Sequence, residues 1–207
     1  MIDEGYTKYR VDWTDHTPLD DPAVVELERW RRPLFEAGLV GHYPDLSIGY
    51  GNISVRATGS GLFVISGSGT GHLPYTGNSH YALVTRADIE ENSVSCTGGT
   101  QASSEALTHA ALYELDLSIG AVVHVHSAGL WERMKHTAPT TNADVAYGTP
   151  EMATEFKRLY RKTSLPHTGI AVMAGHESGL VSIGADLEEA ARRILSLHAE
   201  YECDPGR

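Results

Sequence analysis

Strand-like runs and capped, helix-like stretches alternate irregularly along this chain, and that alternation limits the fold more than any single motif. Asp21-Pro22 supplies a capping residue with proline at the first helical position, ahead of apolar Val24, Leu27, Trp30 and Leu34. Pro33 is expected to kink or end that helix, with Gly38 as its stop. Two β-like runs follow, Ile48 to Val55 and Leu62 to Ser66, joined by the turn-rich Thr58-Gly59-Ser60-Gly61. A short strand is expected near Ala82 to Thr85. Ser103-Ser104 then opens an apolar-periodic stretch through Leu107, Ala111 and Leu115, which reads as a helix. The compact apolar run Ala121 to His126 is most easily a strand. Thr149-Pro150-Glu151 starts a helix through Met152, Phe156 and Tyr160, and strands are expected at Ile170 to Met173 and Leu180 to Ile183. Asp186 with Glu189 forms a capping box for a last helix running to about Tyr201. These elements suit an α/β fold, a mixed sheet flanked by helices with at least one hairpin.

With 207 residues and no visible linker or repeat, the chain reads as one domain over 1–207. Its 27 acidic residues against 16 basic ones give a formal charge of -11, which argues against nucleic acid or an anionic membrane as the main partner. A phosphorylated small molecule remains compatible, because an anion site needs only backbone donors and a few side chains. Cys96 and Cys203 are too few for a disulfide framework and read as reduced thiols. The first ten residues lack the pattern of a signal peptide, and no apolar run approaches the roughly 18 residues of a membrane span. The expectation is a soluble, cytoplasmic protein.

Four groups of residues could carry chemistry. On a strand, His124 and His126 share one face with Cα atoms roughly 6–7 Å apart, so two imidazoles can converge on one ion. A bare His-x-His is equally an ordinary pair of strand histidines. His176, between Gly175 and Glu177 just past a strand, is alone a loop histidine; as a third ligand it leaves an open coordination position, the catalytic arrangement. Ser103-Ser104-Glu105 places hydroxyls and a carboxylate at a helix start, where they cap the helix, join its free N–H groups in an anion site, or serve as a base. His109, one turn on, is as readily a packing residue. Finally, Gly51-Asn52-Ile53-Ser54 and Ser66-Gly67-Ser68-Gly69-Thr70-Gly71 are turns whose backbone N–H groups suit a phosphate or carboxylate, although each alone is an ordinary turn.

In this order the motifs resemble the class II aldolase/adducin family, and the resemblance runs from about Trp30 to the final helix. It implies a three-layer α/β/α sandwich with a mixed, mostly antiparallel sheet, assembled as a homotetramer. It assigns His124, His126 and His176 as ligands of a divalent ion, zinc in most members and manganese or another ion in some. Glu105 becomes the catalytic acid/base, and Gly51, Asn52, Ser68, Gly69, Ser103 and Ser104 hold the substrate phosphate. The implied activity is a metal-dependent lyase of aldolase type, cleaving a small hydroxy-ketone or hydroxy-aldehyde, a sugar phosphate, through an enediolate. Epimerisation, dehydration and decarboxylation are alternatives on the same scaffold. A non-catalytic, adducin-like binding module is a further alternative, disfavoured because such members are expected to lack the full metal set.

Two departures qualify the resemblance. The stretch between His126 and Thr149 is shorter than in sugar-phosphate aldolases, which carry a proton-donating tyrosine there. No tyrosine occurs here before Tyr147, so that role has no assigned residue. His176 is followed by Glu177-Ser178 where many aldolases have glycine. The segment Asp3 to Arg10 reads as a frayed tail, with a lie across a neighbouring subunit as the alternative, and Tyr201 reads as a packing residue.

Overall fold

The computed structural model describes residues 6–45, 48–59 and 62–204. An eight-stranded sheet forms the middle layer. Its strands are β1 (Arg10–Trp13), β4 (Asn52–Arg56), β5 (Phe63–Ser66), β6 (Tyr81–Asp88), β7 (Ser93–Gly98), β8 (Ala121–His126), β9 (Ile170–Val172) and β10 (Gly179–Gly184). β2 (Gly41–Tyr43) and β3 (Ile48–Tyr50) pair separately as a small ribbon. The sheet order is β1-β7-β6-β5-β4-β8-β10-β9, and among the described residues only the β1–β7 strand pair is parallel. The fold is therefore α/β with a mixed, mostly antiparallel sheet.

Period-two alternation sorts the side chains into two cores. Phe63, Ile65, Val122 and Val181 face α2 (Ala106–Leu115) and α4 (Pro150–Lys162). Ile53, Val64, Val123 and Val125 face α1 (Ala23–Glu36) and α6 (Leu187–Cys203), with α3 (Ala128–Met134) beside α6. A short α5 (Leu165–Thr168) links α4 to β9. Each fully buried Leu, Ile or Phe in these layers contributes roughly 1.5–3 kcal/mol of transfer free energy, so both faces are needed to hold the sheet.

Local chemistry explains most of the helix ends. Thr149 accepts from the Met152 N–H, and Asp186 accepts from that of Glu189, whose own carboxylate takes the Ala185 N–H. Asp21 accepts from the Ala23 N–H, and α1 begins at Ala23, one residue later than the sequence suggests. Pro33 does not end α1, which continues to Glu36. Tyr201 packs against the α6-side core, and a Cβ at Gly129 would meet its ring, so it is a packing residue.

Other expectations are corrected. The run Ile48 to Val55 is two strands in different sheets. Gly51, at φ +74°, breaks it where a Cβ would press against Leu39 O and Val40. The strand near Ala82 to Thr85 is the eight-residue β6, hairpinned to β7, which the sequence reading omits. The amino-terminal stretch is not frayed over its described part: β1 pairs with β7, and Tyr9 is buried with its hydroxyl donating to Ser103 O at 2.8 Å. Asp3 to Gly5 lie outside the described residues, as do Ser60 and Gly61 of the expected turn. No helix among the described residues is long and apolar enough to cross a membrane.

Candidate functional site

β8 presents Val122, His124 and His126 on the face that meets α2, while Val123 and Val125 enter the opposite core. That single choice of register aims both imidazoles at the amino end of α2, where Glu105 sits. His176 arrives from the loop between β9 and β10. Gly179 makes the approach feasible, since a Cβ there would lie 3.3 Å from the His124 and His176 rings. All three histidines are buried, and their ligating atoms lie within 4.8 Å of one another.

The tautomers fit a cation. His124 Nδ1 lies 3.0 Å from Leu180 O, which can only accept, so Nδ1 carries the proton and Nε2 turns a lone pair inward. That lone pair meets His126 Nε2 at 3.2 Å and Glu105 Oε2 at 3.1 Å. A tetrahedral zinc with Zn–N of about 2.0–2.1 Å spaces its nitrogens by roughly 3.3–3.4 Å, so the observed separation is one that an ion would bridge. His126 Nδ1 lies 3.0 Å from the Tyr43 hydroxyl, the kind of outer partner that fixes a ligand's ring. Converging nitrogen lone pairs and a carboxylate make a donor set suited to a divalent metal.

Glu105 is 2 % exposed, with Oε1 3.3 Å from His176 Nδ1. Burial by itself would raise its pKa, but His124 and His176 outweigh this and hold the carboxyl well below the usual range. Burial and the neighbouring His176 and His124 keep His126 neutral. His109 is buried too, its Nδ1 2.7 Å from Ser54 Oγ, and its pKa is pulled down to about 3 by burial against a smaller opposing pull from Glu105. It is a satisfied packing residue at Nδ1, while Nε2 has no hydrogen-bond partner among the described residues.

A cavity of about 290 Å³ opens onto this cluster. Gly51, Asn52, Ser68, Gly69, Ser103, Ser104, Glu105, His124, His126 and His176 all line it, whereas Ile53, Ser54, Ser66 and His109 of the same sequence groups do not. Ser103 and Ser104 are turn residues rather than caps: α2 starts at Ala106, and the Ser103 hydroxyl reaches only the Glu105 N–H, at 3.4 Å. Asn52 Oδ1 is buried without a hydrogen-bond partner among the described residues.

A model of the class II aldolase and adducin N-terminal domain matches residues 34–203. The chain belongs to that family. Among curated relatives of this class II aldolase-type chain is L-ribulose-5-phosphate 4-epimerase of Salmonella paratyphi C (strain RKS4594), 29% identical over 128 residues, which are 59% of this chain and 54% of the relative. The chain thus spans about half the length of the curated relatives it matches. Among solved structures, L-fuculose-1-phosphate aldolase from Thermus thermophilus superposes with a TM-score of 0.63 at 20% identity, covering 87% of this chain and 91% of that one. A putative aldolase/epimerase/decarboxylase from Escherichia coli gives 0.64 at 19% identity, covering 88% and 87%. These likenesses show the three-layer fold of the family.

Two residues left without a role in the sequence, Tyr147 and Tyr6, also line this class II aldolase-type cavity, and a third, Lys8, stands against Tyr147 outside the lining. Tyr147 lines it, 3 % exposed, and stacks on His176 with ring centroids 4.5 Å apart. Its hydroxyl accepts from the Tyr6 N–H at 3.3 Å, and Lys8 Nζ stands 3.9 Å above its ring. Tyr6 and Lys8 come from the segment read as a tail. Their signal in the sequence was weak, because only the distant pairing of β1 with β7 delivers them.

Proposed function

We propose that this chain is a metal-dependent lyase of aldolase type, acting on a small hydroxy-ketone or hydroxy-aldehyde that carries a phosphate. The observation that supports this reading is the convergence of His124, His126, His176 and Glu105 at the floor of the cavity that the Gly51, Ser68 and Ser103 turns also line. His124, His126 and His176 would hold the divalent ion, zinc by the preference of imidazole donors. A divalent ion held there supplies Lewis acidity to a substrate carbonyl and screens the charge that bond cleavage leaves beside it.

The chain's own residues do the rest. Leu180 O and the Tyr43 hydroxyl orient the His124 and His126 rings. Gly51, Asn52, Ser68, Gly69, Ser103 and Ser104 offer backbone N–H groups, hydroxyls and an amide to the phosphate, near the positive end of the α2 dipole. As the carbon–carbon bond breaks, its electron pair stays with the carbonyl fragment, while the ionised Glu105 takes the proton of the departing carbon's hydroxyl and that carbon becomes an aldehyde. Glu105 delivers the proton to the carbon that keeps the pair, a contribution worth roughly 10²–10⁴-fold. Burial of Glu105 keeps bulk water from that transfer.

Epimerisation by cleavage and re-addition is the second reading, favoured by the 4-epimerase relatives at 29% identity. A homotetrameric, cytoplasmic enzyme belongs to the same proposal. The test is product analysis with a panel of phosphorylated ketoses and aldoses: two carbonyl fragments support the lyase, an epimer alone supports the second reading, and no turnover with metal present refutes both.

A further inference from the structure

The cavity's described lining contains no lysine or arginine, although it is the proposed seat of a phosphate in a chain of net charge -11. One cation stands directly behind it. Arg31 lies on α1 at 1 % exposure, and its Nη2 donates to Thr70 O at 2.9 Å. Thr70 belongs to the Ser68-Gly69-Thr70-Gly71 turn that lines the cavity. Arg31 Nη1 is buried with no hydrogen-bond partner among the described residues. Glu28, the acidic group near enough to act on it electrostatically, is committed elsewhere. Its carboxylate takes the Thr76 N–H at 3.0 Å and the hydroxyls of Thr76 and Tyr81.

A buried guanidinium without a carboxylate partner destabilises a fold. An anion seated in the turn in front of it would offset that cost. The Thr70 carbonyl and the Gly71 N–H belong to one peptide unit, so a cation hydrogen-bonded to that carbonyl strengthens the N–H as a donor. We propose that Arg31 is a specificity-determining positioning residue: a fixed cation behind the turn that makes it favour a doubly negative group over a singly negative one. This rests on the reading of the turn as the substrate's phosphate seat.

The test is calorimetric titration of inorganic phosphate and of acetate into the full chain at matched metal content. Arg31→Gln keeps an amide donor for Thr70 O but removes the charge, whereas Arg31→Lys keeps the charge. The expected result is that Arg31→Gln weakens phosphate binding about tenfold or more, Arg31→Lys stays within about threefold, and acetate changes less than about threefold in either. The anion-free melting temperature of Arg31→Gln should equal or exceed that of the unsubstituted chain, because it sheds a buried charge; a purely structural arginine would lower it. Phosphate binding unchanged in Arg31→Gln, or lost equally in Arg31→Lys, overturns the proposal. Should Arg31→Gln not fold, sulfate against methyl sulfate on the unsubstituted chain decides: preference for the dianion by about tenfold supports the fixed cation, and equal binding overturns it. Absence of phosphate binding overturns this inference while the product assay still judges the lyase reading. Arg31-dependent phosphate binding in a chain that cleaves nothing leaves the inference standing and removes that reading.

Discussion

Tyr43→Phe isolates the outer hydrogen bond on one imidazole. The substitution deletes the hydroxyl that lies 3.0 Å from His126 Nδ1 and keeps the ring that packs on Tyr50 with centroids 4.7 Å apart. Stability should therefore change little, while His126 loses the partner that sets its ring and tautomer. Such outer partners are worth roughly 10–100-fold in metal affinity, which is about 1.4–2.7 kcal/mol. His124 keeps its bond to Leu180 O, so the loss should fall in the lower half of that range. Competition for zinc against a chromophoric chelator, with circular dichroism as the folding control, measures it. An affinity within twofold of the unsubstituted chain would refute the claim that Tyr43 orients a ligand.

Further outcomes follow from other parts of the molecule. Glu105→Gln removes the proposed proton carrier and should lower kcat by roughly 10²–10⁴-fold while metal content stays at the unsubstituted level; full activity would remove that role from Glu105. Phe156→Ala empties a fully buried position on α4 and should cost about 3–5 kcal/mol in denaturant unfolding. Asp116 is held at about 2, against an ordinary 3.8, chiefly by the Tyr160 hydroxyl at 2.7 Å and then by Ser118. Its folded-state value is depressed, so its stabilisation is full above the ordinary value and fades as pH falls from about 4 to about 2. Asp116→Asn should therefore flatten the acid limb of the stability profile, and an unchanged limb would count against the bond.

What the sequence discloses is what local periodicity encodes. His124 and His126 share a face because any strand places i and i+2 together, whatever surrounds it. Thr149 and Asp186 mark helix starts because their side chains reach backbone N–H groups three residues on. The hidden parts depend on partners far along the chain. Arg10–Trp13 is too short and polar to announce a strand, and becomes one through Ser93–Cys96, some eighty residues away. In β7 the buried Val94 and Cys96 alternate with half-buried Ser and Thr, a pattern easily read as loop. Arg31 carries a signal that composition conceals: it falls on the buried stripe of α1 with Val24, Leu27 and Leu34, where an arginine is unexpected. Tyr147 joins the cavity by its stacking on His176, which no spacing foretells.

The central claim, that the buried histidine triad holds a metal, is tested most directly by elemental analysis of untagged protein prepared without chelator. About one divalent ion per chain, lost in the His124→Ala/His126→Ala variant while the fold is kept, is the expected result. No ion retained after soaking in zinc or manganese and desalting would contradict it.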